Sequence, residues 1–473
     1  MDIWSTFPPK PIYQSATPKS LHQIYNRQKL NPSYQNFIQQ TNATIFGTID
    51  DHDYGMNNGD KNYIHKKESG VAFLDFIDIN KNSIMYQRAK KGLGVYGVIV
   101  LDFSRDNGDY LMTDEEAGLD IDLMNQNDIE DGTSQHNEHG QKRVAIFVLD
   151  VRTNKTPWGR GKEAWSPNYD GDFLGEKQWS WFEKTIRKSN ASVNIIVSGL
   201  QVHPYRVPNT NGIELWSHFP TSRQRFYDAI LQDNVQAPIL VSGDVHMAQF
   251  LRKDCMRTND KSRRMRPLVE MTTSGMTHSW GTCFGCSSRL HTTWKYYPCH
   301  LFSRSLMTFA HFIFPMPDLM NSYNNKNVGL YEHGGAESAK QGKQYALQLN
   351  FGEFEFDWEA KVATMRVIGK ESGMPPLLSA SFSFDQLSGR EPIPGKNQFD
   401  VTLSQYNGKR VLDGNVAIGE FICINHQSNP HPIQLNIGFT CVGVFIFVFM
   451  FGPHLFVMSV LRRMFMRRNR KCK

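Results

Sequence analysis

The sequence predicts an α/β domain with at least partly parallel strands, plus one C-terminal transmembrane helix. Three observations carry this. Short β-branched runs, Val95–Phe103, Val144–Leu149, Val193–Val197, Ile239–Val241 and Val269–Met271, have the composition of buried strands. Amphipathic helical patterns alternate with them, which argues for strands that are at least partly parallel. From Ile437 to Leu461 the chain has 25 residues with no charged side chain apart from His454. At about 1.5 Å per residue a helix there reaches about 37 Å, enough to cross a hydrocarbon core of roughly 30 Å.

In chain order, residues 1–43 are polar and in part helical, around Leu21 to Gln40. An acidic, Asn/Gly-rich stretch at 105–141 reads as a solvated insert and lacks the ligand spacing of a helix–loop–helix calcium site. Two helices are expected, at Asp172–Ser189 with Asp172 as cap and at Thr221–Gln232. From Tyr345 to Phe384 the pattern is strand-only (Ala346–Phe351, Phe354–Trp358, Ala363–Ile368, Leu378–Phe384) and suits an antiparallel edge completing a second sheet. The organisation predicted is therefore a domain over 1–387, a Pro/Asn/Gly-rich linker over 388–432, a membrane helix over 433–461 and a basic tail over 462–473.

The chain has 473 residues and a net charge of +6, and the last twelve residues alone carry seven positive charges. The basic excess belongs to that tail, so no nucleic-acid partner is inferred. Basic residues directly after the apolar run place the C-terminus in the cytosol and the domain in the lumen or outside the cell. That single-pass topology calls for an export signal, and Met1 to Lys19 has four prolines and no apolar run. Either an upstream start or post-translational tail anchoring is expected. Sequons at Asn42, Asn154 and Asn190 suit a lumenal glycoprotein. Cys255, Cys283, Cys286 and Cys299 suit disulfides or free thiols better than zinc in such a domain.

The chemistry should gather at strand ends, where α/β sheets bind ligands. Asp50-Asp51-His52-Asp53-Tyr54-Gly55-Met56-Asn57-Asn58 packs three carboxylates, an imidazole and two amides into nine residues. It is either a solvated acidic turn or a cation site, since a cation relieves carboxylate repulsion. Strand Ile239–Val241 runs into Ser242-Gly243-Asp244-Val245-His246, where Asp244 and His246 can share a face. Leu149-Asp150-Val151-Arg152 ends another strand. Arg152 is either a phosphate clamp or an ion-pair partner of Asp150.

In this order the motifs resemble PhoD-like (alkaline phosphatase D) phosphatases. The segment Asp50 to Asn57 is similar to their DDHDYGxN motif, Leu149-Asp150-Val151-Arg152 to LDxR, and Leu174-Gly175-Glu176-Lys177-Gln178 through Trp181-Phe182 to LGxxQxxWL. Trp216, Phe219-Pro220 and Arg223 resemble W..FPxxR, Ser242 to His246 resembles SGDxH, and Glu270, Thr272, Ser274 and Gly275 resemble ExTxSG. The resemblance runs over roughly residues 20–385. It implies a metallophosphatase-like two-sheet sandwich, a phosphomonoester or phosphodiester substrate, and calcium and iron at a centre on the strand ends. By position it implies Asn57, Asp244 and His246 as metal ligands. It implies His52 as a general acid or phosphate contact, oriented by Asp51 or Asp53. The family's first metal motifs precede its DDHD segment and are not found before Asp50 here. A protein holding half of that ligand set is expected to bind metal poorly. Two functions stand: a membrane-anchored phosphoesterase, or a catalytically inactive lumenal binding or scaffold module. Oligomeric state is left open.

Overall fold

The computed structural model describes residues 3–4, 13–41, 43–105, 110–112, 119, 142–159, 167–204, 214–258, 266–276, 279, 345–391 and 419–424, with scattered positions from 437 to 460. A short hairpin, β1 (Ile3–Trp4) and β2 (Tyr13–Gln14), opens the chain. Two helices follow, α1 (Pro18–Lys29) and α2 (Pro32–Thr41), where the sequence pattern suggested helix. Thr17 and Ser20 close a reciprocal capping box at the start of α1. Next come α3 (Asp51–Tyr54), α4 (Lys66–Phe76) and α5 (Ile84–Lys90).

The main sheet contains β3 (Gly97–Asp102), β4 (Arg143–Leu149), β5 (Val193–Ser198), β6 (Pro238–Ser242), β7 (Ala248–Arg257), β8 (Arg266–Thr273), β9 (Tyr345–Ala346) and β13 (Phe421–Ile424). Its order is β13-β7-β8-β6-β5-β4-β3, with β9 also on β7. The central four strands β4, β5, β6 and β8 are parallel, as the strand–helix alternation suggested, and the outer ones antiparallel. Residues 110–112, at the start of the acidic stretch, bridge β3 through Leu101 and Leu111.

Both faces of this sheet are covered, which is why its central strands read as continuous apolar runs. Phe147, Leu149, Ile196, Leu240 and Leu268 face the helices α6 (Gly175–Arg187) and α7 (Pro220–Ile230). Their alternates Val144, Val193, Ile195, Ile239, Val269 and Met271 face a second, antiparallel sheet. That sheet is β10 (Asn350–Asp357), β11 (Val362–Gly369) and β12 (Leu378–Ser383), followed by the short α8 (Phe384–Leu387). Its inner side chains include Ala363, Met365, Val367, Ala380 and Phe382, while Arg366 pairs outside with Glu353 and Glu355. At the head of α6, Asp172 accepts the N–H of Gly175 at 2.6 Å, together with the Trp179 indole and the Ser222 hydroxyl.

Two strands of the main sheet carried no readable signal. In β7, Ala-Gln-Phe-Leu-Arg-Lys-Asp-Cys-Met-Arg has no period-2 hydrophobicity, yet all but its last residue are buried. Arg252 and Asp254 pair at 2.7 Å on one face of it, so the charges neutralise each other inside the fold. The edge strand β13 lies within 388–432, which therefore is not a linker throughout. Its Cys423 sits opposite Cys255 of β7 and is disulfide-bonded to it. Cys283, Cys286 and Cys299 lie outside the described residues.

Among the described residues no helix is long and apolar enough to cross a membrane. Most of 433–461, the tail 462–473 and most of 105–141 lie outside the described residues.

Candidate metal centre

The parallel strands β4, β5 and β6 all end on one side, and the loop carrying α3 lies across those ends. The turn after β4 is built around Asp150, a fully buried carboxylate. It accepts the N–H of Val95 at 2.7 Å, of Arg152 and Thr153 at 2.8 Å each, and the Thr153 hydroxyl at 2.6 Å. Gly94 is required beside it: φ is +126°, and a Cβ there would fall 2.8 Å from Asp150 Oδ2. Asp150 thus shapes the turn and is not the ion-pair partner of Arg152.

That corrects the expectation for Arg152. Its side chain is fully buried, with Nε 2.9 Å and Nη2 2.5 Å from Asp50 Oδ1, and Nη1 bonded to Glu214. The guanidinium is spent on two carboxylates from distant parts of the chain, so the fork faces protein and not an open cleft. Lys155, also fully buried, donates to Glu214 and, at 2.9 Å, to the carbonyl of Asn58. The Trp158 indole N–H donates to the same Glu214 carboxylate.

On the open side stand Asp50, Asp51 and Asp244. One carboxylate oxygen from each lies within 4.8 Å of the others. Asp51 is held by two backbone donors, His52 N–H at 2.8 Å and Asn58 N–H at 3.0 Å. Gly199, at the end of β5, leaves room for Asp50: a Cβ there would sit 3.1 Å from its Oδ1. After β6 the backbone leaves the extended region, and Asp244 (φ 69°) and His246 (φ 52°) are both left-handed. Alternation along a strand therefore does not describe how these two side chains are presented, because strand geometry stops at Ser242. Left-handed backbone at non-glycine residues costs energy and gathers at functional sites.

The electrostatics fit a cation. Burial, only partly offset by Arg152, and repulsion from Asp51 push the Asp50 carboxyl up to about 6. Burial, then repulsion from Asp50 and Asp51, raises Asp244 well above its ordinary value. Burial opposes ionisation of Glu214, but Arg152 and Lys155 outweigh it and hold it down to about 2. In this immediate cluster four carboxylates face two basic groups, so two negative charges are left over. Hard oxygen donors with that excess suit a divalent ion.

The remaining expected site residues are placed as follows. His52 is partly exposed, with Nε2 3.9 Å from Asp51 Oδ1. Asp53 turns back to the start of α3, where its carboxylate caps the Asp50 N–H at 3.5 Å. Asn57 is half-buried in the turn after α3, and His246 is half-buried two residues past Asp244. Sequence reasoning put Asp50 in the right segment but not among the site residues. It missed Glu214 and Lys155 altogether.

The fold and site together define a class: an α/β protein with an acidic, cation-suited cluster at the carboxyl ends of parallel strands. Within it, residues 126–288 match the PhoD-like phosphatase family model, the family the motifs pointed to. That span includes Arg152, Lys155, Glu214, Asp244 and His246 and leaves out the Asp50–Asn57 segment. A solved structure, "Structure of PhoD", is 13% identical, with 51% of this chain and 40% of that chain covered and a TM-score of 0.29. The chain therefore spans well under half of that protein's length, and a likeness of that size carries no argument. No curated protein matches.

Proposed function

We propose that this chain is a membrane-anchored, metal-dependent phosphoester hydrolase whose centre is the Asp50/Asp51/Asp244 cluster. The observation that carries this is the convergence of the three carboxylates at the strand ends, within a chain whose residues 126–288 match a phosphatase family. Asp50, Asp51 and Asp244 would hold the ion, with Asn57 and His246 as further ligands. When bound, such an ion supplies Lewis acidity: it acidifies an attacking water and takes up charge on the phosphoryl oxygens. In this reading His52, partly exposed and with Nε2 3.9 Å from Asp51 Oδ1, gives a proton to the leaving oxygen. Calcium and iron are the ions to try first.

The test is hydrolysis of an aryl phosphate and an aryl phosphodiester by the purified full chain, with each ion added or chelated. Metal-dependent turnover lost in Asp244→Asn is the expected result. No turnover with any ion, and no metal retained on purification, overturns the proposal. That outcome would favour the inactive binding module instead. The latter draws on one observation, the complete engagement of Arg152 by Asp50 and Glu214, which leaves that guanidinium no free fork for phosphate.

The anchor belongs to the same proposal: residues 433–461 span the membrane, the domain faces the lumen or exterior, and 462–473 lie in the cytosol. Support comes from the long apolar run from Ile437 to Leu461 and from exposed Val444, Phe447, Val448 and Phe451 at helical positions within it. The Cys255–Cys423 disulfide also suits an oxidising compartment. Topology is tested by glycan occupancy. Asn190 is exposed, whereas the side-chain amide of Asn154 donates to Leu93 O at 3.1 Å. Glycosidase treatment is expected to shift the wild type and Asn154→Gln but not to act at position 190 in Asn190→Gln. Absence of any glycan at Asn190 after expression in secretory cells would count against a lumenal domain.

A further inference from the structure

We propose that Glu214 is a positioning residue that fixes both ends of the 50–58 loop through two buried cations, and so sets the affinity of the cluster for its ion. This rests on the metal-centre reading above. Glu214 touches no open space: it is fully buried, as are the side chains of Arg152 and Lys155. Its Oε2 accepts from Arg152, whose other nitrogens hold Asp50 at the start of the loop. Its Oε1 accepts from Lys155, whose ammonium holds the Asn58 carbonyl at the far end. Asn58 in turn gives its N–H to Asp51. One carboxylate thereby reaches two of the three members of the acidic cluster, Asp50 through Arg152 and Asp51 through Lys155 and Asn58. The Trp158 indole donates to Oε1, and its ring lies 4.2 Å from the Lys155 ammonium, closing the relay off from water.

The charge argument gives this arrangement a consequence beyond stability. With Glu214 present, Arg152 divides its attraction between two carboxylates. Without that charge, Asp50 is the one carboxylate still hydrogen-bonded to Arg152, which draws Asp50 toward the guanidinium and away from an incoming cation. Lys155 likewise loses its counter-charge, and the Asn58 carbonyl loses a fixed donor. Both effects weaken ion binding, whereas a purely structural ion pair would alter only folding.

The test is anaerobic calorimetric titration of the detergent-solubilised full chain with Ca²⁺ and Fe²⁺. Glu214→Gln keeps the shape and removes the charge. It is expected to raise Kd about 10–100-fold, the usual cost of losing a partner behind the ligands, with stoichiometry and near-ultraviolet circular dichroism unchanged. Glu214→Asp, which keeps the charge on a shorter stem, should recover part of the loss. Glu176→Gln removes a surface partner of Arg225 and should bind as the wild type does. Should Glu214→Gln fail to fold, Trp158→Phe removes one hydrogen bond to the same carboxylate and is expected to weaken binding a few-fold. Folded Glu214→Gln with wild-type Kd overturns the proposal while leaving the metal centre standing. So does wild-type Kd in Trp158→Phe where the glutamine variant does not fold. A wild type that binds neither ion overturns both.

Discussion

Arg152→Met is expected to destabilise the fold by about 3–5 kcal/mol, the range for removing one partner of a buried charge pair. The guanidinium is fully buried and serves two carboxylates, Asp50 and Glu214. Methionine fills much of the volume but satisfies neither. Glu214 keeps Lys155 and the Trp158 indole, whereas Asp50 is left beside Asp51 and Asp244 with no buried cation against it. The measurement is the urea midpoint at constant m-value. Combining Arg152→Met with Glu214→Gln should cost less than the sum of the two single changes, because each alone already breaks the same Arg152–Glu214 pair. A loss below about 1 kcal/mol, the ordinary size for exposed pairs, would mean that the guanidinium is solvated and the network is not closed.

Asp244→Asn is expected to act in opposite directions on stability and on ion binding. In metal-free protein it removes one of three carboxylates whose oxygens lie within 4.8 Å, so repulsion falls and the melting temperature rises. In the presence of Ca²⁺ the wild type gains stability by mass action and the variant gains little. Loss of a direct ligand should weaken binding by more than about 100-fold, past the range for outer partners. Thermal melts with chelator and with saturating Ca²⁺ read both effects in one experiment. A variant that melts lower than the wild type in chelator would show that Asp244 is stabilised by unseen donors and not strained by its neighbours.

Much of the fold was legible because the parallel strands are buried on both faces and their centres are runs of apolar, largely β-branched residues. Val144–Leu149, Val193–Ser198 and Pro238–Ser242 announce themselves in any window. Strand β7 did not, since its buried Arg252 and Asp254 neutralise each other along the strand and its Lys253 lies over the Tyr227 ring, contacts that a hydrophobic period does not show. Nor did β13, a four-residue edge held by pairing with β7, the disulfide and an Asp228–Phe421 hydrogen bond. The site divides in the same way. The Asp50–Asn58 density and the Asp244/His246 pair stand out locally. The ion-pair partners of Arg152 were not legible, because the nearest carboxylate in sequence, Asp150, is occupied by backbone donors, while Asp50 and Glu214 lie 102 and 62 residues away. Glu214 precedes an aromatic segment, and only its burial identifies it.

The disulfide-tied edge strand has a mechanical consequence if the proposed anchor holds. From Ile424, where β13 ends, to Ile437, where the apolar run begins, the chain has about a dozen residues, which even fully stretched reach no more than about 45 Å. A covalent bond to β7 fixes where that leash leaves the domain. Under that anchor the edge of the sheet carrying β13 would stay close to the bilayer, and the Asp50 and Asp244 cluster would move only within the reach of that leash. Such an enzyme would meet esters carried in or near the same membrane far more often than those free in bulk solution.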